Sequence, residues 1–533
     1  MTRYFAILIC IFSVLLSIIE GSNYFDTHHD PIIFSNSIFI MNGLLPYKDF
    51  YVQYGIVQPT INAFVFKIFG ARFFLQNLVV GMAYGLFLFY NYKLISKLIN
   101  EKAAFLFLLI IFFLEPYVIL PWPNFFMGLF SVISLYHFIK FVVDKRLNNI
   151  YISLFFVCLL PLTRMNAGII VLPIVTITAL FITFKYVSLK NILKLIAALI
   201  PLFVLIYLFQ QEDFIKQAFI LPSEYILPHY FKIPNDLLYI AALHFNLFFL
   251  EPNLFSVVSA TENLFIWRYI LIIGIIFSGL FISINFFRRK TFSESNMIIF
   301  ILGSYAVSMS SSVFPIFDTF RAVNAWYPFL MIIFFLSYNY ISSNKFYTFF
   351  LPLPLILLYI NINHYPVSIT TVYNLYNPEN FKVQFIDFSK PFDVLARDNY
   401  DITQNEKDKP SALPLNKYQR LPLDQYLKVS SVMKNQCYGK KFISTSSDFL
   451  IYLLDPNMYK NIAHKMYYYQ IFTNRKGVAI DANMELYPDF KNNLNNHDGL
   501  CLLYHHKIPK IILEDLKEFD EEIILGDHSI FIR

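Results

Sequence analysis

The sequence predicts a mainly α-helical membrane protein with about eleven transmembrane helices and a C-terminal extracytoplasmic α/β domain. Composition is the first reason. Of 533 residues, 57% are hydrophobic and only 15% charged, with a mean hydropathy of +0.53, more apolar surface than a soluble chain of this size can cover. Apolar stretches of about the length that crosses a ~30 Å hydrocarbon core recur down to residue 361. From residue 362 to 533 charges become frequent and apolar runs shorten. The net charge of +6 is modest and includes no long basic run, which makes nucleic acid a poor partner.

The first apolar segment, Tyr4–Ile19, follows a short basic start at Arg3, but the "IIEGSN" after it lacks a small-x-small cleavage pattern. It therefore reads as a retained membrane helix rather than a cleaved signal. Further spans are predicted near 73–92, 103–120, 124–143, 150–163, 167–185, 192–209, 268–287, 296–314, 328–342 and 346–361. With the N-terminus in the cytoplasm, the inner segments carry fourteen Lys and Arg and the much longer outer segments carry eight, as the positive-inside rule requires. An odd number of spans then puts the tail on the periplasmic side of the inner (plasma) membrane. In that tail "KKFISTS" and "GLCLLYHH" read as strands, and "PLDQYLKVSSVMKN" and "PKIILEDLKEF" as helices. It holds Cys437 and Cys501, placed where oxidation could join them.

Two outward turns follow short apolar runs. Ala103–Leu114 reaches Glu115-Pro116 after twelve residues, and a run of similar length ends at Thr163-Arg164. At 1.5 Å per residue each covers roughly 20 Å, short of the core thickness. Glu115 reads as an ordinary helix-end residue. Arg164 either snorkels to the interface or stands paired, or facing water, at membrane depth.

The two long outer loops run over 20–72 and 210–267. The first opens with "YFDTHHDPIIFSNSIFIMNGLLPYKDFYVQYG" (Tyr24–Gly55), unusually rich in charge for a connector. Asp30-Pro31 reads as a helix N-cap followed by proline at the first helical position, with Gly43 as a stop. Pro59–Phe69, ended by Gly70, reads as a second short helix. Their mixed polarity predicts helices lying at the membrane surface.

The acidic residue just past the first span, the short helix, "NGLLPYKDFYVQYG" and "QP…FKIFG" before the second span resemble the first outer loop of GT-C glycosyltransferases. Bacterial members related to protein O-mannosyltransferases and to the aminoarabinose transferase of lipid A are the most similar group. The likeness is detailed over the first ~100 residues and beyond them rests on hydropathy and the external tail. It implies an enzyme that takes a sugar from a polyprenyl-phosphate carrier at the outer face and transfers it, with inversion, to an acceptor hydroxyl. It also implies that an acidic residue of this loop is the base. Asp30 is the best match, with Asp26 and Asp49 as substitutes. The family often places a second acidic or an aromatic residue here, where this chain has His29-Asp30-Pro31. Arg321, in "FDTFRAVNAWYP", resembles the family's late arginine near the lipid phosphate.

The residues suit that chemistry independently of the likeness. Displacing a phosphate from an anomeric carbon needs a carboxylate within reach of the attacking hydroxyl and fixed positive charge on the leaving group. Lys48, Arg164 and Arg321 are the outer cations, and His28 and His29 are further donors to phosphate or sugar. Each also has a plainer reading: Asp30 as a helix cap, Asp26 as a solvated carboxylate, Lys48 and Arg321 as headgroup contacts. No P-loop or dinucleotide fingerprint offers a cradle for a soluble nucleotide-sugar, so a lipid-carried donor fits better. No cysteine pair has metal-ligand spacing and adjacent histidines converge poorly on one ion, so no metal site is predicted. Members of the superfamily differ in using a divalent ion, and Mg or Mn stays open as a cofactor. The expected partners are the donor, a lipid-linked or protein acceptor, and membrane lipids. An O-antigen polymerase or ligase would lean on arginines in later loops, and a flippase on repeated halves and mid-membrane charge; both rank behind the transferase.

Overall fold

The computed structural model describes residues 2–23, 29–50, 52, 54–71, 73–114, 122–183, 192–220, 293–313, 319–357, 431–433, 435–444, 499–505, 519–525 and 528–533. Helices dominate. They are α1 (Thr2–Asn23), α2 (His29–Met41), α3 (Val57–Phe69), α4 (Phe73–Leu98), α5 (Glu101–Leu114), α6 (Asn124–Asp144) and α7 (Leu147–Thr163). After them come α8 (Met165–Thr183), α9 (Ile192–Ala198), α10 (Ile200–Phe209), α11 (Glu294–Met309), α12 (Thr319–Tyr340) and α13 (Ser343–Phe350).

Among the described residues, Leu75–Leu98, Asn124–Asp144 and Met165–Ile182 are long and apolar enough to cross a membrane. Three sequence-predicted spans differ from what forms. The stretch 192–209 breaks at Leu199, and α10 restarts with proline in its first turn, where the missing N–H costs nothing. The stretch 328–342 belongs to a helix that begins at Thr319 and carries Pro328 inside it. The stretch 346–361 stops at Phe350, with a turn at Leu351 before a second helical piece at 352–357. The predicted span 268–287 and, apart from Phe519, the predicted helix 509–519 lie outside the described residues.

The bundle closes by two kinds of contact. Where α1 crosses α4, Gly81 and Gly85 stand one turn apart, and a Cβ on Gly85 would lie 2.8 Å from Val14 Cγ2 and 3.0 Å from the Cys10 carbonyl. This is the small-residue approach by which membrane helices pack. Deeper in, hydroxyls satisfy one another. Ser134 lies 2.5 Å from the Tyr305 hydroxyl and 2.9 Å from Ser153 Oγ, and Ser131 lies 2.7 Å from the Tyr327 hydroxyl. These bonds tie α6 to α7, α11 and α12 in a medium that offers no water to compensate them. On the outside, Ile177, Leu180, Phe181, Phe203 and Tyr207 on α8 and α10 stay exposed, an apolar face suited to lipid.

The tail contains a four-stranded sheet of β1 (Lys441–Ser444), β2 (Leu500–His505), β3 (Glu521–Leu525) and β4 (His528–Ile532), in the order β1-β2-β4-β3. β1 runs parallel to β2, and the other pairs are antiparallel. Leu500 to Leu503 are buried in succession, as befits an inner strand covered on both faces. Cys437 and Cys501 form a disulfide with Cα atoms 5.7 Å apart, closing 64 residues of chain. The apolar side chains of β2 and β4 fall in the same hydrophobic cluster as Ile32, Phe34, Phe50 and Phe66 of the segment after α1.

Candidate functional site

The segment between α1 and α4 is built around α2 and α3, whose rings Phe34 and Phe66 meet at 5.0 Å. α2 starts at His29, so Asp30 sits within its first turn rather than at the cap the sequence suggested. Every residue from Ile32 to Phe39 is buried. α2 is therefore an enclosed helix, which corrects the expectation of one lying at the membrane surface. Gly43 ends it at φ +86, a conformation glycine reaches without strain. The carboxylate of Asp30, the imidazole of His29 and all of Asp26 and His28 lie outside the described set.

A tight turn follows. Leu45 N–H donates to Asp49 Oδ2 at 2.7 Å, and Asp49 N–H donates back to the Leu45 carbonyl at 2.9 Å. The carboxylate of Asp49 thus closes its own turn, while Lys48 points to solvent. Between Leu45 and Asp49, Tyr47 is buried at φ +68, a region that bulky residues enter only when their surroundings hold them there. Gln217 supplies the hold. Its Nε2 donates to the Tyr47 carbonyl at 2.5 Å, and its Oε1 accepts from Val52 N–H at 3.2 Å. Phe214 adds an edge contact with the Tyr47 ring at 4.8 Å. One side chain from the segment after α10 thereby fixes a loop more than 160 residues upstream.

The loop next docks on the end of α7. Ile56 N–H donates to the Leu162 carbonyl at 2.8 Å. Gly55 lies so close that any Cβ would collide with the carbonyls of Leu162 and Thr163. The following residue is Arg164, extended at φ −152 in the break between α7 and α8. Its side chain is only 6% exposed. It turns inward, not out to the interface as snorkelling would have it. Nη1 donates to Asn124 Oδ1 and to the Ser312 carbonyl, both at 2.7 Å. Both acceptors are neutral oxygens, and the two bonds fix the orientation of the guanidinium. Asn324 Nδ2 donates to the Asn124 carbonyl at 2.8 Å, bringing α12 into the cluster. Arg321 lies on the first turn of α12, three residues before Asn324, and not in the inter-span turn the sequence suggested. Its guanidinium is outside the described set.

The structure thus brings the α2–α3 segment and Arg164 together at one end of the bundle, with Arg321 on the helix whose Asn324 bonds Asn124 beside Arg164. Asn124, Asn324, Ser312, Gly55 and Gln217 escaped the sequence reading. The asparagines had left a signal, since an amide within an apolar span is costly unless partnered. Gln217 had left none. Among the described residues no group of three or more His, Cys, Asp or Glu side chains is placed to hold a metal ion.

No family model and no curated protein matches the sequence. Among solved structures, the chain is similar to ArnT from Cupriavidus metallidurans bound to undecaprenyl phosphate, at 11% identity and TM-score 0.44, over 98% of this chain and 97% of that one. It is also similar to the Archaeoglobus fulgidus oligosaccharyltransferase in its apo form, at 14% identity and TM-score 0.44, over 95% of this chain and 70% of that one. The latter protein has also been solved in complex with Zn and sulfate. Likenesses of this size assign no residue a role.

Proposed function

We propose that the chain is an inverting membrane glycosyltransferase, moving a sugar from a polyprenyl-phosphate donor to an acceptor hydroxyl at the outer face of the inner membrane. One observation carries the reading: the acidic segment after α1 is clamped by Gln217 and pinned by Ile56 to the α7–α8 break, where Arg164 is held buried and charged. A carboxylate-bearing helix and a fixed cation then share one end of the bundle. The first-loop resemblance assigns the carboxylate its role.

In this reading Asp30 accepts the proton of the acceptor hydroxyl as its oxygen attacks the anomeric carbon. The bond from that carbon to the phosphate oxygen breaks, and the lipid phosphate leaves with the electron pair. Arg164, with Arg321, Lys48 and His29, steadies the charge that grows on the phosphate. Asp26 is the alternative base. Asp49 is the weaker one, because its carboxylate is engaged in its own turn. The region 1–361 carries this chemistry, and 362–533 forms the extracytoplasmic domain. The charge asymmetry of the loops supports a cytoplasmic N-terminus.

The test uses the purified full chain in nanodiscs, given a panel of polyprenyl-phosphate hexoses and pentoses with extracted envelope lipids as acceptors. Mass spectrometry should find one donor consumed, polyprenyl phosphate released and a single sugar added. A ladder of repeated additions would favour the polymerase instead. If no donor in the panel is bound or consumed, the transferase reading fails.

A further inference from the structure

At the opposite end of the bundle, where α1 begins and α4 and α6 end, cations gather around one ring. Lys93 Nζ lies 5.5 Å from the centroid of Phe89, 5.4 Å from that of Tyr90 and 5.3 Å from that of Tyr136. Lys140 Nζ lies 5.9 Å from the centroid of the same Tyr136. Tyr90 and Tyr136 meet edge to face at 5.6 Å, so the rings form one wall. Lys140 and Arg3, both of like charge, act on Lys93.

Among the described residues, two carboxylates at this end have partners other than Lys93 and Lys140. Asp144 accepts from Lys97 Nζ at 2.9 Å, and Glu101 accepts from Thr2 Oγ1 at 2.9 Å. Asp144 also feels Lys140, which answers part of that charge. Lys93 gains cation–π attraction from its three rings, but these do not cancel repulsion from a second ammonium group on the same wall. An anion between the two would.

We infer that Lys93 and Lys140, both set against the Tyr136 ring of the aromatic wall it forms with Phe89 and Tyr90, bind the phosphate of an anionic phospholipid. The depth argues for a lipid over a free anion. Lys93 lies five residues inside the end of α4, about 7.5 Å along the axis, at the level where headgroups give way to acyl chains. Phe89, Tyr90 and Tyr136 are the amphipathic rings that membrane interfaces favour. A soluble phosphate would gain nothing from them. The site lies apart from Arg164 and from the segment after α1, so it stands or falls independently of the proposed transferase activity.

The experiment is native mass spectrometry of the full chain in detergent, with phosphatidylglycerol or phosphatidylcholine added. Wild type should retain phosphatidylglycerol in preference. Lys93→Gln with Lys140→Gln should bind it roughly tenfold or more weakly, in line with a contribution from each lysine near an anionic surface. Lys102→Gln with Lys145→Gln removes the same charge from exposed positions at the same end and should leave retention unchanged. The single change Lys140→Gln, at the more superficial lysine, should already weaken binding, and serves if the double variant does not fold. Equal retention in wild type, the double variant and Lys140→Gln would overturn the inference. So would displacement of the lipid by millimolar inorganic phosphate, or an equal loss in the exposed-charge control.

Discussion

The two ends of the helical bundle handle charge in opposite ways. At the end bearing the α2–α3 segment, Arg164 is drawn inside and held by an amide oxygen and a backbone carbonyl. At the other end, cations stay partly exposed along the rim, and the Lys97–Asp144 bridge leaves its side chains 27% and 24% accessible. A buried cation has one geometry and a high cost of misplacement. Rim cations have many geometries and act chiefly through their field. The first arrangement suits a site that must position a reacting group, and the second suits attraction to a charged surface.

Replacing Arg164 with Met probes the contrast most strongly. It removes the donor to buried Asn124 Oδ1 and to the Ser312 carbonyl, at about 1–3 kcal/mol for a buried hydrogen bond lost. Thermal unfolding of the purified variant should show the largest drop of the set, and an unchanged midpoint would mean the inward placement is wrong. Gly55→Ala comes next. The added methyl pushes the loop off the α7 carbonyls, at about 1–3 kcal/mol, and protease access to residues 44–56 should rise. If Gly55→Ala is tolerated without either change, the loop does not sit on α7. Lys97→Ala should matter least, since exposed pairs contribute about 0.2–1 kcal/mol and fade with salt. A midpoint shift as large as that of Arg164→Met would erase the distinction between the two ends.

Much of this was legible in the sequence, for physical reasons that can be named. Apolar run length located helices: ten of the eleven predicted stretches overlap described helices, of which three are long and apolar enough to cross a membrane. Strand signals at "KKFISTS" and "GLCLLYHH" held, and Cys437 and Cys501 did pair. Arg164 was marked out by a run too short to carry it clear of the membrane. Its partners were not, because Asn124, Ser312 and Asn324 converge from three parts of the chain and no local pattern encodes their meeting. The same holds for Gln217, which reaches back to Tyr47 and Val52. Prolines misled the boundaries: Pro328 looked like the start of a span and instead lies inside a helix begun nine residues earlier. The mixed polarity of the two short helices in the first outer loop suggests a surface position, which α2 does not take. In the fold Ser35, Asn36 and Ser37 are buried with the apolar residues around them.

The most direct measurement is mass spectrometry of surface glycans and lipid-linked intermediates from cells making wild-type protein or Asp30→Asn at matched membrane levels. Asn keeps the size and shape of the side chain and removes its charge and basicity. A catalytic Asp30 predicts loss of one defined sugar mass and accumulation of its polyprenyl-phosphate donor, with turnover down by about 10²–10⁴-fold. An unchanged glycan profile from abundant, folded Asp30→Asn would contradict it and leave Asp30 a structural residue of α2.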